Sequence, residues 1–273
     1  MNKTLYVTDL DGTLLSSAAE VTEHTTGIVN RLIAEGMSFT FATARSVYSA
    51  KPITAKLDIN VPCLLMNGVS VYDLQNDRYI KNEYIPETAS AEILRAFEEN
   101  GVHCFMYKIT DGVLTCYYSE ITTQVMRSFA EVRKNQYSKP FVRCDRLADC
   151  ADSEAVYFTT TGEYEELLPV KLAGDSIKGL DCAFYKDTYT QKWYLEFFSS
   201  GASKANGVKW LREHYGFDRV VAFGDNLNDL PMFGEADLKV AVGNAAEEVK
   251  KAADTVIDTN DNDGVAEWLS SVF

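Results

Sequence analysis

The stretch Asp9-Leu10-Asp11-Gly12-Thr13 follows directly after the apolar run Leu5-Tyr6-Val7 near the start of the chain. Side chains two residues apart point the same way from a β-strand, so a strand that ends here would aim both carboxylates at one small volume. Carboxylates that lie so close repel each other, and a cation between them relieves the repulsion. The pair therefore suits a metal-assisted reaction in which one carboxylate attacks and the other carries a proton.

The same short motif also occurs in plain turns and in calcium-binding loops, because Asp-Gly is a common turn signal. A calcium loop needs further acidic ligands and a Glu at its end. Here Thr13-Leu14-Leu15-Ser16 follows instead, which excludes the calcium loop but leaves the plain turn as an alternative to catalysis.

Composition limits the class of protein. The chain has 273 residues, of which 46% are hydrophobic, enough for a large core or for two domains. No apolar run approaches the roughly 20 residues that a membrane helix needs, and the N-terminal residues do not resemble a signal peptide. The formal net charge of −14 without a basic stripe argues against nucleic-acid binding. We expect a cytoplasmic protein without a membrane partner, and its oligomeric state is unknown at this point.

The cysteines and histidines do not form a metal-binding pattern. The chain has six cysteines without a Cys-x-x-Cys pair and only three histidines, so a zinc site is not expected. In a chain of this length without a secretory signal, we expect the cysteines to be reduced thiols.

The two ends of the chain alternate strand-like and helix-like segments. We predict strands at residues 5–8, 37–42, 62–66, 219–223, 238–242 and 255–257. Helices are predicted at about residues 23–35, with Thr22 as the N-cap, and 203–215, ending at Gly216. Asn244 is predicted to cap a further helix, with Glu247 completing a capping box. This alternation predicts an α/β core with a doubly wound, Rossmann-like parallel sheet.

The middle of the chain has a different pattern. Strands are predicted at residues 103–108, 113–118, 155–160, 182–186 and 191–197, with helices at 89–100, 122–135 and 163–172. This α+β pattern with an antiparallel sheet predicts an inserted cap domain. We place the core domain at residues 1–82 and 188–273 and the cap at residues 83–187.

Polar clusters follow the predicted core strands. They are Thr43-Ala44-Arg45, Asn67-Gly68 and Gly224-Asp225-Asn226-Leu227-Asn228-Asp229. Open parallel sheets bind ligands at the carboxyl ends of their strands, so several such clusters together indicate a pocket. Lys204 lies at the predicted start of a helix, where a cation is unfavourable unless an anion lies beside it. It is either a solvated surface lysine or a residue with an anionic partner, and the nearby acids favour the partner.

Four segments in this order resemble the haloacid dehalogenase superfamily of phosphotransferases. Asp9-Leu10-Asp11-Gly12-Thr13 is similar to its first motif, Thr43 to the second, Lys204 to the third and the stretch 224–229 to the fourth. The long α+β insertion resembles the cap of the Cof-type branch. Val240-Ala241-Val242-Gly243-Asn244-Ala245 and Asp263-Gly264-Val265-Ala266 also resemble that branch.

The resemblance implies a role for each matching residue. Asp9 would be the nucleophile that forms an aspartyl-phosphate, and Asp11 would protonate the leaving alcohol and then activate water. Mg²⁺ would be bound by the Asp9 carboxylate, the Asp11 backbone carbonyl and Asp225, with Asp229 supporting the metal indirectly.

The transferring phosphate would be held by further groups that the resemblance supplies. They are the side chains of Thr43, Lys204 and Asn228 and the backbone amides of Leu10 and Ala44. Phosphoryl transfer depends mostly on such positioning and on neutralising the equatorial oxygens.

The second motif departs from the family in one place, because Ala44 stands where Gly is usual. The change is mild if Ala44 has a negative φ and strained by about a kcal/mol if φ is positive. Arg45 either reaches the substrate or braces its loop.

The sequence therefore predicts a Mg²⁺-dependent phosphatase acting on small-molecule phosphate esters, with sugar phosphates as the first choice. The alternatives are a phosphomutase acting on a sugar phosphate and a non-catalytic protein that binds a phosphorylated metabolite.

Overall fold

The computed structural model describes residues 3–186 and 191–273. These residues form two compact units, of which the first comprises residues up to Lys81 together with Ala202–Phe273 and the second comprises Asn82–Gly201. The boundary that the sequence places between residues 187 and 188 lies outside the described residues. The strand Trp193–Ser199 belongs to the sheet of the second unit, so that unit extends to Gly201.

Strands in both units are numbered in chain order. They are β1 (Thr4–Thr8), β2 (Ser38–Phe41), β3 (Cys63–Leu65), β4 (Ser70–Asp73), β5 (Arg78–Asn82), β6 (Phe105–Thr110), β7 (Val113–Tyr118), β8 (Phe141–Arg143), β9 (Ala155–Gly162), β10 (Leu180–Lys186), β11 (Trp193–Ser199), β12 (Arg219–Gly224), β13 (Leu238–Ala241) and β14 (Thr255–Val256).

The helices are numbered in the same way. They are α1 (Glu23–Ala34), α2 (Val47–Ile53), α3 (Glu87–Glu99), α4 (Gln124–Asn135), α5 (Tyr164–Gly174), α6 (Lys204–Tyr215), α7 (Leu230–Gly234), α8 (Glu247–Ala252) and α9 (Gly264–Val272).

The sheet of the first unit is parallel, in the order β14-β13-β12-β1-β2. A parallel bridge between Ala42 and Leu64 continues this order to β3. The chain order therefore reverses between β1 and β12, as it does in doubly wound folds. In such sheets the ligand crevice opens at the carboxyl ends of the strands where the order reverses.

Apolar side chains explain why this sheet forms. Val220, Val221, Ala222 and Phe223 in β12 are all buried, which is the near-continuous apolar run typical of a parallel strand covered on both faces. Helix α1 packs against α9, and α6 packs against α7. The predicted parallel α/β fold is confirmed.

Helix ends match the local signals in two cases and differ in a third. The Thr22 side chain accepts a hydrogen bond from the Thr25 N–H at the start of α1, and α6 ends at Gly216, which has a φ of 64°. Helix α8, however, begins at Glu247 with Ala246 as its N-cap. The prediction that Asn244 caps this helix is therefore wrong. The Asn244 side chain instead forms hydrogen bonds with the backbone of Gly12 and of Asn260.

A small additional sheet, in the order β3-β4-β5, was not indicated by the sequence pattern. Strand β3 is only three residues long and pairs antiparallel with β4. Between them, Met66 and Asn67 have φ values of 49° and 56° and Gly68 has a φ of 94°, so the chain reverses in a left-handed turn.

The second unit is built on a six-stranded sheet in the order β10-β11-β9-β6-β7-β8. Its pairs are antiparallel except for the parallel pair β7–β8. Helices α3 and α5 pack together, and Phe97 of α3 meets Phe197 of β11 edge to face, with ring centroids 5.9 Å apart. The predicted α+β insertion with an antiparallel sheet is confirmed.

Two of the cysteines are paired in this structure. Cys144 and Cys150 form a disulfide in the second unit, so the expectation of reduced thiols is wrong for these two. Cys63, Cys104, Cys116 and Cys182 are free.

Among the described residues, the helices are all too short or too polar to cross a membrane.

Gly68 generates a stability prediction. A Cβ built there would lie 2.1 Å from the Ser203 carbonyl oxygen, whereas one at Gly216 would meet nothing within 4 Å. Both glycines have positive φ, so Ala at either position costs about 1 kcal/mol for backbone strain. We expect Gly68→Ala to cost roughly 1–3 kcal/mol more than Gly216→Ala, because only the former forces a backbone clash. Urea unfolding followed by circular dichroism measures the difference, and equal unfolding midpoints would contradict the close approach.

Candidate active site

The turn after β1 carries the first two predicted site residues. Asp9 follows the strand and is 5% exposed, and its N–H donates to the Phe223 carbonyl oxygen of β12 at 2.9 Å. Residues Leu10–Leu14 form a tight turn in which Gly12 has a φ of 77°. The strand ends at Thr8, so Asp9 and Asp11 do not share a strand face, although the sequence spacing predicts that they do. Their side chains have different partners.

Lys204 connects Asp9 to the late acidic loop. It is the first residue of α6, after the N-cap Ser203, and is 2% exposed. Its Nζ donates to Asp9 Oδ1 at 2.7 Å and to Asp229 Oδ1 at 2.7 Å. The reading as a solvated surface lysine is therefore wrong. The anionic partners that the helix start requires are carboxylates of the protein itself.

Asp229 is fully buried and holds the loop after β12 in shape. Its Oδ2 accepts hydrogen bonds from the backbone N–H groups of Asp225 at 3.0 Å and Asn226 at 3.1 Å. Both oxygens of Asp229 are thus engaged, one by the ammonium of Lys204 and one by the backbone. This fixes the position of Asp225 relative to Lys204.

Asp225 packs directly against the first turn. Its Oδ1 accepts a hydrogen bond from Thr13 Oγ1 at 2.8 Å. A Cβ built on Gly12 would lie 2.5 Å from Asp225 Oδ2, so no larger residue fits there without displacing this carboxylate. Gly12 thus provides both the left-handed backbone and the space that the close approach needs.

Three carboxylates, those of Asp9, Asp225 and Asp229, surround the single ammonium of Lys204. This imbalance of charge shifts the pKa values of the site. Burial, followed by the nearby charges of Asp229 and Asp225, raises the pKa of Asp9 to about 7 against the attraction of Lys204. Burial also raises the pKa of Asp225 to about 6, with Asp229 adding to the effect. Burial alone would lower the pKa of Lys204, but the charges of Asp9 and Asp229 outweigh it and raise this pKa. When ionised, the three carboxylates carry more negative charge than the ammonium of Lys204 neutralises.

A divalent cation fits this arrangement. Asp9, Asp225 and Asp229 each offer a carboxylate oxygen, and these oxygens lie within 4.8 Å of one another. Carboxylate oxygens are the ligands of hard cations such as Mg²⁺, which takes one or two of them and completes its coordination with other oxygens. Because Asp229 is already bonded at both oxygens, Asp9 and Asp225 are the carboxylates best placed to bind such an ion directly.

Asp11 is not one of the three clustered acids, and its side chain has a different partner. Its side chain is 51% exposed, and its two carboxylate oxygens receive hydrogen bonds from Arg45 at 2.5 Å (Nη2) and 2.7 Å (Nε). A two-point contact of this kind fixes orientation as well as charge. In this structure the Arg45 side chain braces the carboxylate of Asp11. The sequence left open whether Arg45 reaches the substrate or braces its own loop.

The predicted phosphate-binding residues lie in neighbouring turns of the first unit. Thr43 is fully buried after β2, and its Oγ1 accepts a hydrogen bond from the Arg45 N–H at 3.2 Å. Ala44 has a negative φ, so its replacement of Gly causes no backbone strain. Asn228 Nδ2 donates to Asn67 Oδ1 at 3.4 Å.

Asn67 is a site neighbour that belongs to one of the predicted polar clusters but to which the sequence assigns no role of its own. Its N–H donates to the Thr43 carbonyl oxygen at 2.9 Å, and its side chain meets Asn228. The Asn67-Gly68 pair at a strand end was a usable signal, since Asn tolerates the left-handed φ of 56° found here.

Comparisons with known proteins agree with this geometry. A model of the haloacid dehalogenase-like hydrolase family matches residues 6–269, and the chain therefore belongs to this family. It is 25% identical to pyridoxal phosphate phosphatase YbhA of Escherichia coli, over 96% of each chain. It is 27% identical to 5-amino-6-(5-phospho-D-ribitylamino)uracil phosphatase YitU of Bacillus subtilis, over 98% of this chain and 97% of that one.

A solved structure shows the same fold. A haloacid dehalogenase-like hydrolase from Bacteroides thetaiotaomicron superimposes with a TM-score of 0.81 at 24% identity, covering 99% of this chain and all of the other. The family model confirms the resemblance to this family. Family, relatives and acid cluster together identify a phosphatase, that is, a hydrolase of phosphoric monoesters.

The raised pKa values generate a prediction about stability. An acid whose pKa is raised in the folded state stabilises that state below its unfolded pKa and loses this effect as pH rises through the folded value. For Asp9 and Asp225 the unfolded value is 3.8 and the folded values are about 7 and about 6, so the metal-free protein loses stability between about pH 4 and about pH 7. We expect Mg²⁺ to raise the melting temperature more at about pH 8 than at about pH 5, because protons occupy the site at the lower pH.

Thermal unfolding with and without Mg²⁺ at the two pH values measures this difference. Asp225→Asn removes one negative charge and one ligand, so it should shrink the Mg²⁺ effect at the higher pH. Equal Mg²⁺ effects at both pH values would contradict the assignment of the excess charge to these acids.

Proposed function

We propose that this protein hydrolyses phosphate monoesters of small metabolites with Mg²⁺ and an aspartyl-phosphate intermediate on Asp9. The observation that carries the proposal is the contact of Lys204 Nζ with both Asp9 and Asp229 at 2.7 Å, with Asp225 alongside. This contact supports the proposal because it joins a fixed carboxylate to an ammonium group, beside two acids that could bind a cation.

Asp9 is the nucleophile in this proposal. Lys204 holds Oδ1, so the carboxylate cannot rotate freely and presents Oδ2 in one orientation. An Asp9 oxygen attacks phosphorus, the bond between phosphorus and the ester oxygen breaks, and the leaving oxygen takes a proton. Water then attacks the acyl phosphate, which releases inorganic phosphate and regenerates Asp9.

Asp11 moves the protons in this proposal. Once it carries a proton, Asp11 gives this proton to the leaving alcohol and then takes one from the attacking water, so it ends the cycle protonated as it began; such a role is worth about 10²–10⁴-fold in rate. The ion pair with Arg45 must open before this happens. A substrate phosphate is itself an anion and competes for the guanidinium, so its arrival would free Asp11 while Arg45 turns to the phosphate.

The remaining residues would hold the metal ion and the phosphate group. Bound Mg²⁺ would be held by the Asp9 and Asp225 carboxylates and the Asp11 carbonyl, and it would neutralise charge on the phosphoryl oxygens. Hydrogen-bond donors then surround the transferring group, in the way that phosphoryl transfer requires. The proposed donors are the side chains of Thr43, Lys204 and Asn228 and the backbone amides of Leu10 and Ala44.

The relatives support a small substrate. Their names describe phosphatases of pyridoxal phosphate and of a uracil that carries a phosphorylated D-ribityl chain. Both are phosphate esters of small molecules, and the second has a sugar-derived alcohol chain. These names favour hydrolysis over a mutase reaction, and they keep sugar phosphates as our first choice of substrate class.

The nucleophile is tested by a matched pair of variants. Asp9→Asn keeps the shape of the side chain but removes its nucleophilic oxygen, so Mg²⁺-dependent phosphate release from p-nitrophenyl phosphate should fall on the order of 10³-fold or more. Asp58→Asn changes an exposed carboxylate of the same unit and should leave the rate unchanged. Turnover that survives in the Asp9 variant would refute the covalent mechanism.

The substrate class is tested with a panel of esters. We expect the highest kcat/KM on a phosphorylated sugar, sugar alcohol or similar metabolite, with p-nitrophenyl phosphate lower and a phosphopeptide lowest. The products should be inorganic phosphate and the free alcohol in equal amounts. An isomeric ester without free phosphate would show a mutase instead.

A further inference from the structure

The loop after β13 bonds to the first catalytic turn through Asn244. The Asn244 Nδ2 donates to the Gly12 carbonyl oxygen at 2.7 Å, and its Oδ1 accepts a hydrogen bond from the Asn260 N–H at 3.0 Å. Both ends of this amide are therefore used in contacts across the first unit, which explains why it does not cap α8. The proposed chemistry assigns no role to this residue.

Three further side chains of the C-terminal loop, those of Asn260, Asp261 and Asp263, attach to the same N-terminal segment. Each forms hydrogen bonds with residues between the turn that follows β1 and the first turn of α1. The pairs are Asn260 Nδ2 to the Leu15 carbonyl at 2.9 Å, the Ser17 N–H and hydroxyl to Asp261 at 2.7 and 2.6 Å, and the Thr22 and Thr25 hydroxyls to Asp263 at 2.5 and 2.8 Å. We call Asn244, Asn260, Asp261 and Asp263 the brace.

The brace reaches both acidic loops of the site. Asn244 holds Gly12, whose neighbour Thr13 bonds to the Asp225 carboxylate at 2.8 Å. Two residues after Asn244, the Ala246 N–H donates to the Asp225 carbonyl oxygen at 2.8 Å. One short loop thus fixes the turn that carries Asp9 and Asp11 relative to the loop that carries Asp225.

We propose that Asn244 is a positioning residue for the divalent cation. The Asp11 and Gly12 carbonyls belong to consecutive peptide units, so holding the second limits rotation of the first, which the proposed function uses as a metal ligand. The inference rests on that proposed function. It adds that the spacing between the Asp11 carbonyl and the Asp225 carboxylate depends on the amide of Asn244.

The amide is required because it both donates and accepts. An Asp at this position has nearly the same shape but can only accept when ionised, so it would place a negative oxygen against the Gly12 carbonyl. An Ala would leave the carbonyl to solvent. Asn244 is exposed, so neither change removes packing from the core.

The test compares Asn244→Ala and Asn244→Asp with Asn262→Ala. Asn262 lies in the same C-terminal loop, and its Nδ2 bonds to Asp258 Oδ1 at 2.9 Å without reaching the first turn. We measure Mg²⁺ affinity by calorimetry with Mg²⁺ alone, the Mg²⁺ concentration for half-maximal hydrolysis of p-nitrophenyl phosphate, kcat and KM, and the melting temperature.

We expect both Asn244 variants to bind Mg²⁺ on the order of tenfold more weakly, as is usual when a residue that orients a metal ligand is lost. The Asp variant should be the weaker of the two at physiological pH. KM for the ester at saturating Mg²⁺ and the melting temperature without Mg²⁺ should stay close to those of the parent chain. Asn262→Ala should match the parent in every measurement.

Unchanged Mg²⁺ affinity in both Asn244 variants would overturn the inference, and so would a loss shared equally by Asn262→Ala. A fall in kcat with normal Mg²⁺ affinity would also overturn it, because it would place the role of Asn244 elsewhere. If the parent chain binds Mg²⁺ but hydrolyses none of the esters, the proposed function fails, while calorimetry still decides the role of Asn244.

Discussion

The buried ammonium of Lys204 is the contact on which the rest of the site depends. Removing one charge of a buried ion pair leaves the other uncompensated, which costs several kcal/mol in most proteins. Here one ammonium serves two carboxylates, Asp9 and Asp229, and Asp229 in turn holds the loop that carries Asp225 through two backbone N–H groups. A single side chain therefore couples the ends of β1 and β12 to the start of α6. The arrangement keeps an excess of acid in a buried place, which is a cost in stability that functional sites commonly carry.

The topology makes this contact possible. Lys204 and Asp9 are 195 residues apart in sequence, and the second unit lies between them in the chain. The order of the parallel strands reverses between β1 and β12, so the turns that follow these two strands are neighbours at one edge of the sheet. That reversal gathers residues from four distant segments without any need for local sequence to bring them together. It also means that the first unit has to assemble from both ends of the chain, a slow kind of contact to form.

Much of the fold could be predicted because its signals are local, and much of the site could not because its bonds are distant. The apolar run of β12 and the Thr22 cap of α1 follow from neighbouring residues. Asn244 shows the opposite case. The local pattern of Asn followed by Glu247 indicates a capping box, yet the amide bonds to Gly12, 232 residues away. The pairing of Arg45 with Asp11 is likewise invisible in the sequence, since either residue could equally face a substrate.

The charges of the site bear on how a cation and an anionic ester would bind there together. The chain carries a formal charge of −14, but at physiological salt charges beyond about 8 Å are largely screened, so the nearby groups decide. Those groups are four carboxylates, Asp9, Asp11, Asp225 and Asp229, against two cations, Lys204 and Arg45, and they leave two negative charges when all are ionised. A phosphate ester would be repelled by this balance, and one divalent cation cancels it. A cation that binds before the ester or together with it would therefore remove the repulsion, and the excess of acid favours an ion with two charges over one with a single charge.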